Sequence, residues 1–278
     1  QKLSLSHLAD LSGWAVRSHF TATLLNQETG GYVRGENAYE DANLRTSNPN
    51  PEAYRDAWSL RLNSELSRDA WTLKPYLRRS QMAFLQHFLP GQPLEENDQS
   101  SVGLIVERDI SSAATQLSVG GQVELMSGGL REFQAQPTTG SRFLVATRPA
   151  GLHYDYDVSS RLFAVFYNVD HSLSANTRLV HSLRAETLKY DYTNKHIVGN
   201  TKDDGSACGF GGCLYTRPAS REDEFTNLGA RFGVERDSQL GMLYVTASSG
   251  FRPPQITELY RLRGGQTIAD LNSERLSA

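Results

Sequence analysis

The chain has 278 residues, with Lys+Arg 28 against Asp+Glu 31, a net charge of −3, 38% apolar residues and a mean hydropathy of −0.47. That balance excludes a protein that binds nucleic acid by phosphate neutralisation, which needs a strongly basic face, and it is too apolar and aromatic for a disordered chain. The longest apolar run, Leu162 to Tyr167, has six residues where a spanning helix needs about 20, so a helical membrane protein is excluded and a membrane β-barrel is not.

Period-2 alternation predicts about ten strands. The first two, near 1–9 and 13–25, flank a short turn at Asp10–Ser12, and a long polar segment, 26–53, follows. In the strand near 54–67, Trp58, Leu60, Leu62 and Leu66 alternate with Ser59, Arg61, Asn63 and Glu65. After a turn at Arg68–Ala70, the strand near 71–86 sets Trp71, Leu73, Pro75 and Leu77 against Thr72, Lys74, Tyr76 and Arg78. A second long segment, 87–97, leads to strands near 98–109 and 114–131 around a turn at Ile110–Ala113. Here Leu117, Val119, Gly121, Val123 and Leu125 make one face, and Gln116, Ser118, Gly120, Gln122 and Glu124 the other. The third long segment, 132–153, precedes strands near 154–167 and 173–190 with a turn at Asn168–Ser172. The fourth, 191–223, precedes strands near 224–236 and 239–249 with a turn at Asp237–Ser238.

Short and long connections therefore alternate, which in an antiparallel meander places every turn at one end and every loop at the other. A sandwich or a propeller does not do this. The expected fold is all-β: an antiparallel, up-and-down transmembrane β-barrel segment with short periplasmic turns and long extracellular loops. Its apolar face meets lipid, and Glu124, Arg61, Glu65, Arg184 and Glu186 face the lumen. A soluble antiparallel sheet with one wet face explains the alternation as well, but not strands of this length or the one-sided loops. The chain begins at Gln1 without an initiator Met or a signal-peptide pattern, and it stops without a terminal strand. It is expected to be an internal piece of a larger barrel, forming a curved, open sheet with two unpaired edges.

Little in the sequence points to covalent chemistry. The only cysteines, Cys208 and Cys213, lie in Cys-Gly-Phe-Gly-Gly-Cys within the longest loop. They make half a zinc site at best, and a local disulfide stiffening a loop tip is the better reading. The chain-entropy effect of so small a ring is about 2 kcal/mol. The seven histidines lack metal-ligand spacing and no Gly-x-Ser-x-Gly elbow is present, so neither a metal, a cofactor nor a catalytic residue is assigned. His153-Tyr154-Asp155-Tyr156-Asp157 offers Tyr154 and Tyr156 to an extracellular ligand, or places them in an interfacial aromatic girdle, the preferred reading. Arg178, Arg184 and Arg231, on lumen faces, are candidates for an anionic ligand or a plug, or else pair with lumen carboxylates. Lys202-Asp203-Asp204-Gly205 lacks the rest of a calcium loop and reads as a plain turn.

The segment Ala247 to Tyr260 resembles the barrel signature of TonB-dependent outer-membrane receptors, with Gly250, Phe251, Arg252, Pro254, Glu258, Leu259 and Tyr260 at matching positions. Locally, Gly250 is expected to supply a special backbone angle, and Pro253-Pro254 ends the ladder. Ala269 to Glu274 is similar to the family's re-entry into the next strand, though only Leu271 and Glu274 match and both prolines are missing. Gly205 to Pro218 also looks like a loop of some such receptors. The resemblance implies a 22-stranded barrel filled by an N-terminal plug that imports a scarce ligand by coupling to TonB and its inner-membrane energy-transducing complex, in the outer membrane of a Gram-negative bacterium. The implied ligand is a ferric siderophore or similar iron complex, haem, cobalamin or a glycan. Neither plug nor TonB box lies in these residues. A passive porin, a barrel-anchored enzyme and a soluble β-rich binding protein are the rivals.

Overall fold

Ser12 and Gly13 both take positive φ, 54° and 82°, the two-residue turn that matches strand twist. They join β1 (Lys2–Leu11) to β2 (Trp14–Glu28) in a ladder from Leu11↔Trp14 to Lys2↔Thr23. Antiparallel strands follow along the chain as β3 (Tyr54–Arg68), β4 (Trp71–Leu85), β5 (Leu94–Ser111), β6 (Thr115–Gln134), β7 (Gly151–Ser174) and β8 (Thr177–Asn194). A two-residue strand, β9 (Tyr215–Thr216), lies in a loop, and β10 (Arg221–Ser238) and β11 (Gly241–Arg252) return to the sheet. Another short loop strand, β12 (Leu262–Arg263), pairs with β9, and β13 (Glu274–Ser277) pairs with the end of β11. Among the described residues, three short helices, α1 (Ala42–Arg45), α2 (Arg142–Thr147) and α3 (Ile256–Tyr260), sit in long connections. This computed structural model describes all residues except 32, 34, 269, 270 and 278.

The main sheet is antiparallel and sequential, in the order β1-β2-β3-β4-β5-β6-β7-β8-β10-β11-β13, and it does not close on itself. Both edges, β1 and β13, are open, as expected for an arc of a barrel, and β13 corrects the expectation of no terminal strand: the polar run Glu274 to Ser277 pairs with the end of β11. The ten expected strands are all present, and their ends differ in two instructive places. The turn expected at 168–172 lies instead at 175–176: β7 continues to Ser174, with Val169 opposite His181, and a register irregularity falls between Ser172 and Ser174. A run of polar residues there mimics a turn. β5 starts at Leu94 rather than near 98, because the polar run Glu95 to Asp98 carries on in the ladder.

Alternation sorts the side chains as the sequence implied. Leu62, Leu77, Val102 and Leu125 lie side by side across β3 to β6, and all four are exposed. Val123, Phe163 and Leu228 extend this apolar outer face. An exposed apolar face this wide is unusual in a soluble monomer. On the inner face, Tyr76 donates to Glu124 and accepts from Gln122 at 3.0 Å. Its ring crosses Gly103, where any Cβ would lie 2.2 Å from it.

Among the described residues the buried apolar cluster is not in the middle of the sheet but at its long-loop end. It contains Leu130, Tyr154, Tyr156, Val158, Tyr190, Tyr192, Tyr215, Leu259, Tyr260 and Leu262, together with the two cysteines.

Candidate functional site

A bulge begins the site. The ladder between β6 and β7 shifts at Glu132/Phe133, so that Glu132 faces Tyr154, Phe133 faces Leu152, and His153 has no partner. An extra residue of this kind re-aims side chains. His153 and Tyr154 are both buried, against the segment that follows β11 and against β9. Tyr154 donates to the carbonyl of Leu262 at 2.6 Å, and His153 stacks on Tyr215 with ring centroids 4.3 Å apart. Tyr156 packs beside Tyr192 at 5.2 Å. The aromatic girdle expected for Tyr154 and Tyr156 is therefore corrected: both rings are buried beneath loops rather than set on the exposed apolar face.

Residues 253–268 form a cap over this end of the sheet. Its base is Arg252, which donates to Glu258 at 3.0 Å and Glu274 at 2.9 Å, tying α3 and β13 together across the intervening chain. Glu258 also accepts the backbone N–H of Gln255 at 2.7 Å. The Arg252 hydrogen bond, with that backbone donor, holds the Glu258 carboxyl below its ordinary value. Leu259 and Tyr260 are fully buried. Tyr260 stacks on Tyr192 at 4.2 Å and donates to Asp223 at 2.9 Å; burial first, and this carboxylate second, push its phenol up. The motif residues thus build the cap. Gly250 is corrected: its φ is not positive and a Cβ there would touch nothing. Phe251 instead crosses Gly229, where a Cβ would meet the ring at 3.2 Å. The re-entry segment matched only at Leu271 and Glu274; Ala269 and Asp270 lie outside the described residues, and Glu274 pairs with Arg252.

Under the cap lies a charge network that sequence reasoning missed. Arg261 reaches across the loop to Glu95 at 2.7 Å, to Glu132, and to the side-chain Oε1 of Gln86 at 3.1 Å. Arg148 donates to Glu132 at 3.0 Å, and His153 Nδ1 lies 3.0 Å from the same carboxylate. Gln86 donates to Glu95. Glu132 is 1% exposed and Glu95 6%, so removing one partner leaves a buried charge uncompensated. Burial works to lower the Arg261 guanidinium, but the charges of Glu132 and Glu95 outweigh it and hold the group above its usual value. A cavity of about 1160 Å³ opens beside this network, lined by Glu132, Arg148, Tyr154, Arg252, Arg261 and Arg263 among others. Arg148 keeps a buried Nε without a partner.

Buried Arg217 holds the neighbouring loop in another way. Its guanidinium donates to backbone carbonyls, Thr201 at 2.7 Å, Lys202 at 3.2 Å and His153 at 3.3 Å. Burial, and then the charge of Arg217, lower the nearby His196 imidazole. Cys208 and Cys213 are joined in a disulfide with Cα atoms 5.0 Å apart. Both are buried in the apolar cluster, while Gly209, Phe210 and Gly211 between them are exposed. Lys202 to Gly205 is a turn, closed by Gly205 N–H to Lys202 at 3.1 Å.

The three candidate arginines are not gathered here. Arg184 donates to Glu186 at 2.6 Å and Gln122 at 2.9 Å on the inner wall. Arg178 pairs with Glu235 at 2.7 Å near the short-turn end. Arg231 is exposed opposite Ser182.

An open meander, an apolar outer face, a polar inner wall and loops folded inward at one end match the family model described as TonB dependent receptor-like, beta-barrel, over residues 4–276. The chain belongs to that family. Its members and its structural neighbours are transport receptors rather than enzymes. The siderophore receptor PiuA from Acinetobacter baumannii is similar over 99% of this chain and 46% of its own, with a TM-score of 0.62 and 9% identity. The ferric-catecholate import receptor Fiu from E. coli K12, in its closed form, is similar over 91% of this chain and 43% of its own, at TM-score 0.56 and 11% identity. The copper transporter OprC is similar over 99% and 49%, at TM-score 0.57 and 10% identity. These likenesses establish the fold, and the chain spans less than half the length of each of the three. No curated protein matches the sequence.

Proposed function

We infer that the chain is part of the wall of an outer-membrane receptor of a Gram-negative bacterium that takes up a ferric siderophore or similar metal chelate. In this reading the outer face meets lipid, the loops and cap form the extracellular mouth, and a plug supplied from outside these residues couples transport to TonB and its inner-membrane complex. No covalent chemistry is involved. The observation that carries the reading is the family match across residues 4–276. The names of two neighbours, a siderophore receptor and a ferric-catecholate import receptor, support the ligand class. Arg178, Arg184 and Arg231 then belong to the conduit rather than the mouth, and Tyr154 and Tyr156 shape the mouth from beneath.

The test is growth under limitation of a strain lacking the full-length protein, complemented with it, on ferric chelates, cobalamin or oligosaccharides. Rescue by a ferric chelate, abolished when TonB is inactivated, is the expected result. Rescue by an oligosaccharide or cobalamin alone would replace the ligand class. Uptake that persists without TonB would contradict the energised mechanism and favour a passive pore.

A further inference from the structure

The disulfide ring is placed where three loops meet. Cys208 to Cys213 closes a turn in which Phe210, Gly211 and Gly212 take positive φ of 53°, 87° and 140°. That backbone favours the two glycines, and a Cβ on Gly212 would lie 1.8 Å from Asn200 Oδ1. On one side the ring holds the loop that carries α2. Gly209 N–H donates to Ala146 at 3.1 Å, Leu214 N–H to Thr147 at 2.9 Å, and Phe210 meets Phe143 edge-on at 5.5 Å. On the second side Asn200 donates to the carbonyl of Cys213 at 2.6 Å.

On the third side it meets the cap. A Cβ on Gly264 would come within 2.6 Å of the Cys213 carbonyl oxygen, so the cap's backbone rests directly on the ring. Two residues further on, β9 pairs with β12, Tyr215 opposite Arg263 and Thr216 opposite Leu262. Arg261, Leu262, Arg263 and Gly264, with Leu214 from the ring's own loop, line the 1160 Å³ cavity. The wall of the cavity is therefore fixed to the disulfide by a backbone contact and a two-residue ladder, neither of which uses a charge.

We propose that the Cys208–Cys213 disulfide is a positioning element of the receptor: it seats Gly264 and β12, and so sets the cap over the cavity. Opening the S–S bond with a two-electron reductant, which leaves two thiols, frees Cys213 to withdraw from Gly264. The ring-side part of the cap, residues 262–268, then opens locally without unfolding the sheet, because Arg252 and Tyr260 still anchor its other end. Local opening of this sort changes amide exchange in one cooperative segment and leaves the strands protected. The consequence for ligand capture rests on the reading of the chain as an uptake receptor; the consequence for the cap does not.

The experiment uses the oxidised full-length receptor in detergent, before and after reduction with a soluble phosphine. It is repeated on a Cys208→Ser, Cys213→Ser variant and on Gly264→Ala, which keeps the disulfide but crowds Cys213. Hydrogen exchange is read by peptide, with β5 to β8 as the internal check of folding. At least tenfold faster exchange across residues 262–268 is expected on reduction and in the double variant, with α3 and the strands unchanged. A lesser change in the same peptide is expected for Gly264→Ala. Unchanged exchange in 262–268 after complete reduction would overturn the proposal, as would a loss of protection spread evenly over the sheet. Ferric-chelate affinity is measured on the same samples. A fall on reduction with the cap opened extends the role to capture. A receptor that binds no ferric chelate in either state, yet opens its cap, refutes the ligand assignment and leaves the positioning role standing.

Discussion

The two ends of this sheet are held by different physics. Towards the short turns, the structure is a ladder of strands whose outer face is exposed and whose inner face carries local pairs such as Arg178–Glu235 and Lys74–Glu107. Towards the long loops, it is built like a soluble core. Tyr154, Tyr156, Tyr190 and Tyr192 of β7 and β8 receive Leu259, Tyr260 and Leu262 of the cap, and a buried charge network closes the interior. The first part depends on what surrounds it, since each outward apolar side chain gains only when lipid covers it. The second carries its own apolar burial. Under the proposed function, the sheet is stabilised by its membrane in one half and by its loops in the other.

The sharpest way to break the comparison is at Glu132. Glu132→Leu leaves Arg148 buried without its carboxylate, and a cost of about 3–5 kcal/mol is expected. It should appear as faster hydrogen exchange in residues 142–153 and 256–268 while β1 to β4 stay protected. Equal loss in β1 to β4 would show that the two ends are one cooperative unit. Tyr260→Ala should cost about 3–5 kcal/mol, confined to the same segments, because the ring is fully buried against Tyr192.

At the other end, Leu125→Arg places a cation on the outward face and is expected to cost about 2–4 kcal/mol of folding into lipid vesicles. Gln122→Lys on the inward face should cost well under half as much. The smallest effect concerns Glu258, whose carboxyl is held down by Arg252. Its folded value lies below the unfolded one, so its contribution is complete above about pH 4.5 and fades as pH falls through the folded value. Carbon NMR of the Glu258 carboxyl should titrate below pH 4.5 in the native chain, and closer to it in Arg252→Gln. Titration at the same pH in both would remove the ion pair from the account.

The same division governs what could be read in advance. The strands of the lower half follow from period-2 patterning, which is local, and Leu117 to Leu125 declares its two faces within nine residues. The misplaced turn at 168–172 shows the limit of such patterns. Asn168 to Ser172 is polar enough for a turn, yet it stays in the ladder because Val169, Asp170 and His171 find partners in β8. The site was much less legible. Arg252, Glu258, Leu259 and Tyr260 stood out as a motif, but nothing local says that Tyr260 seeks Tyr192 or that Arg261 finds Gln86, 175 positions away. The bulge at His153 has no composition of its own, although it aims the residues that meet the cap. Buried polar groups inside a run of charges look the same as solvated ones until the chain folds back over them.

A sheet with a lipid side and an interior side must show opposite accessibility at adjacent positions of β6. Nitroxide labels are attached singly at positions 122, 123, 124 and 125 of the full-length receptor in outer-membrane vesicles, with the native disulfide intact. Their relaxation is then compared under oxygen and under a water-soluble nickel chelate. High oxygen and low nickel accessibility at 123 and 125, with the reverse at 122 and 124, is the expected result. Uniform water accessibility at all four positions, or oxygen preference at 122 and 124, would contradict it.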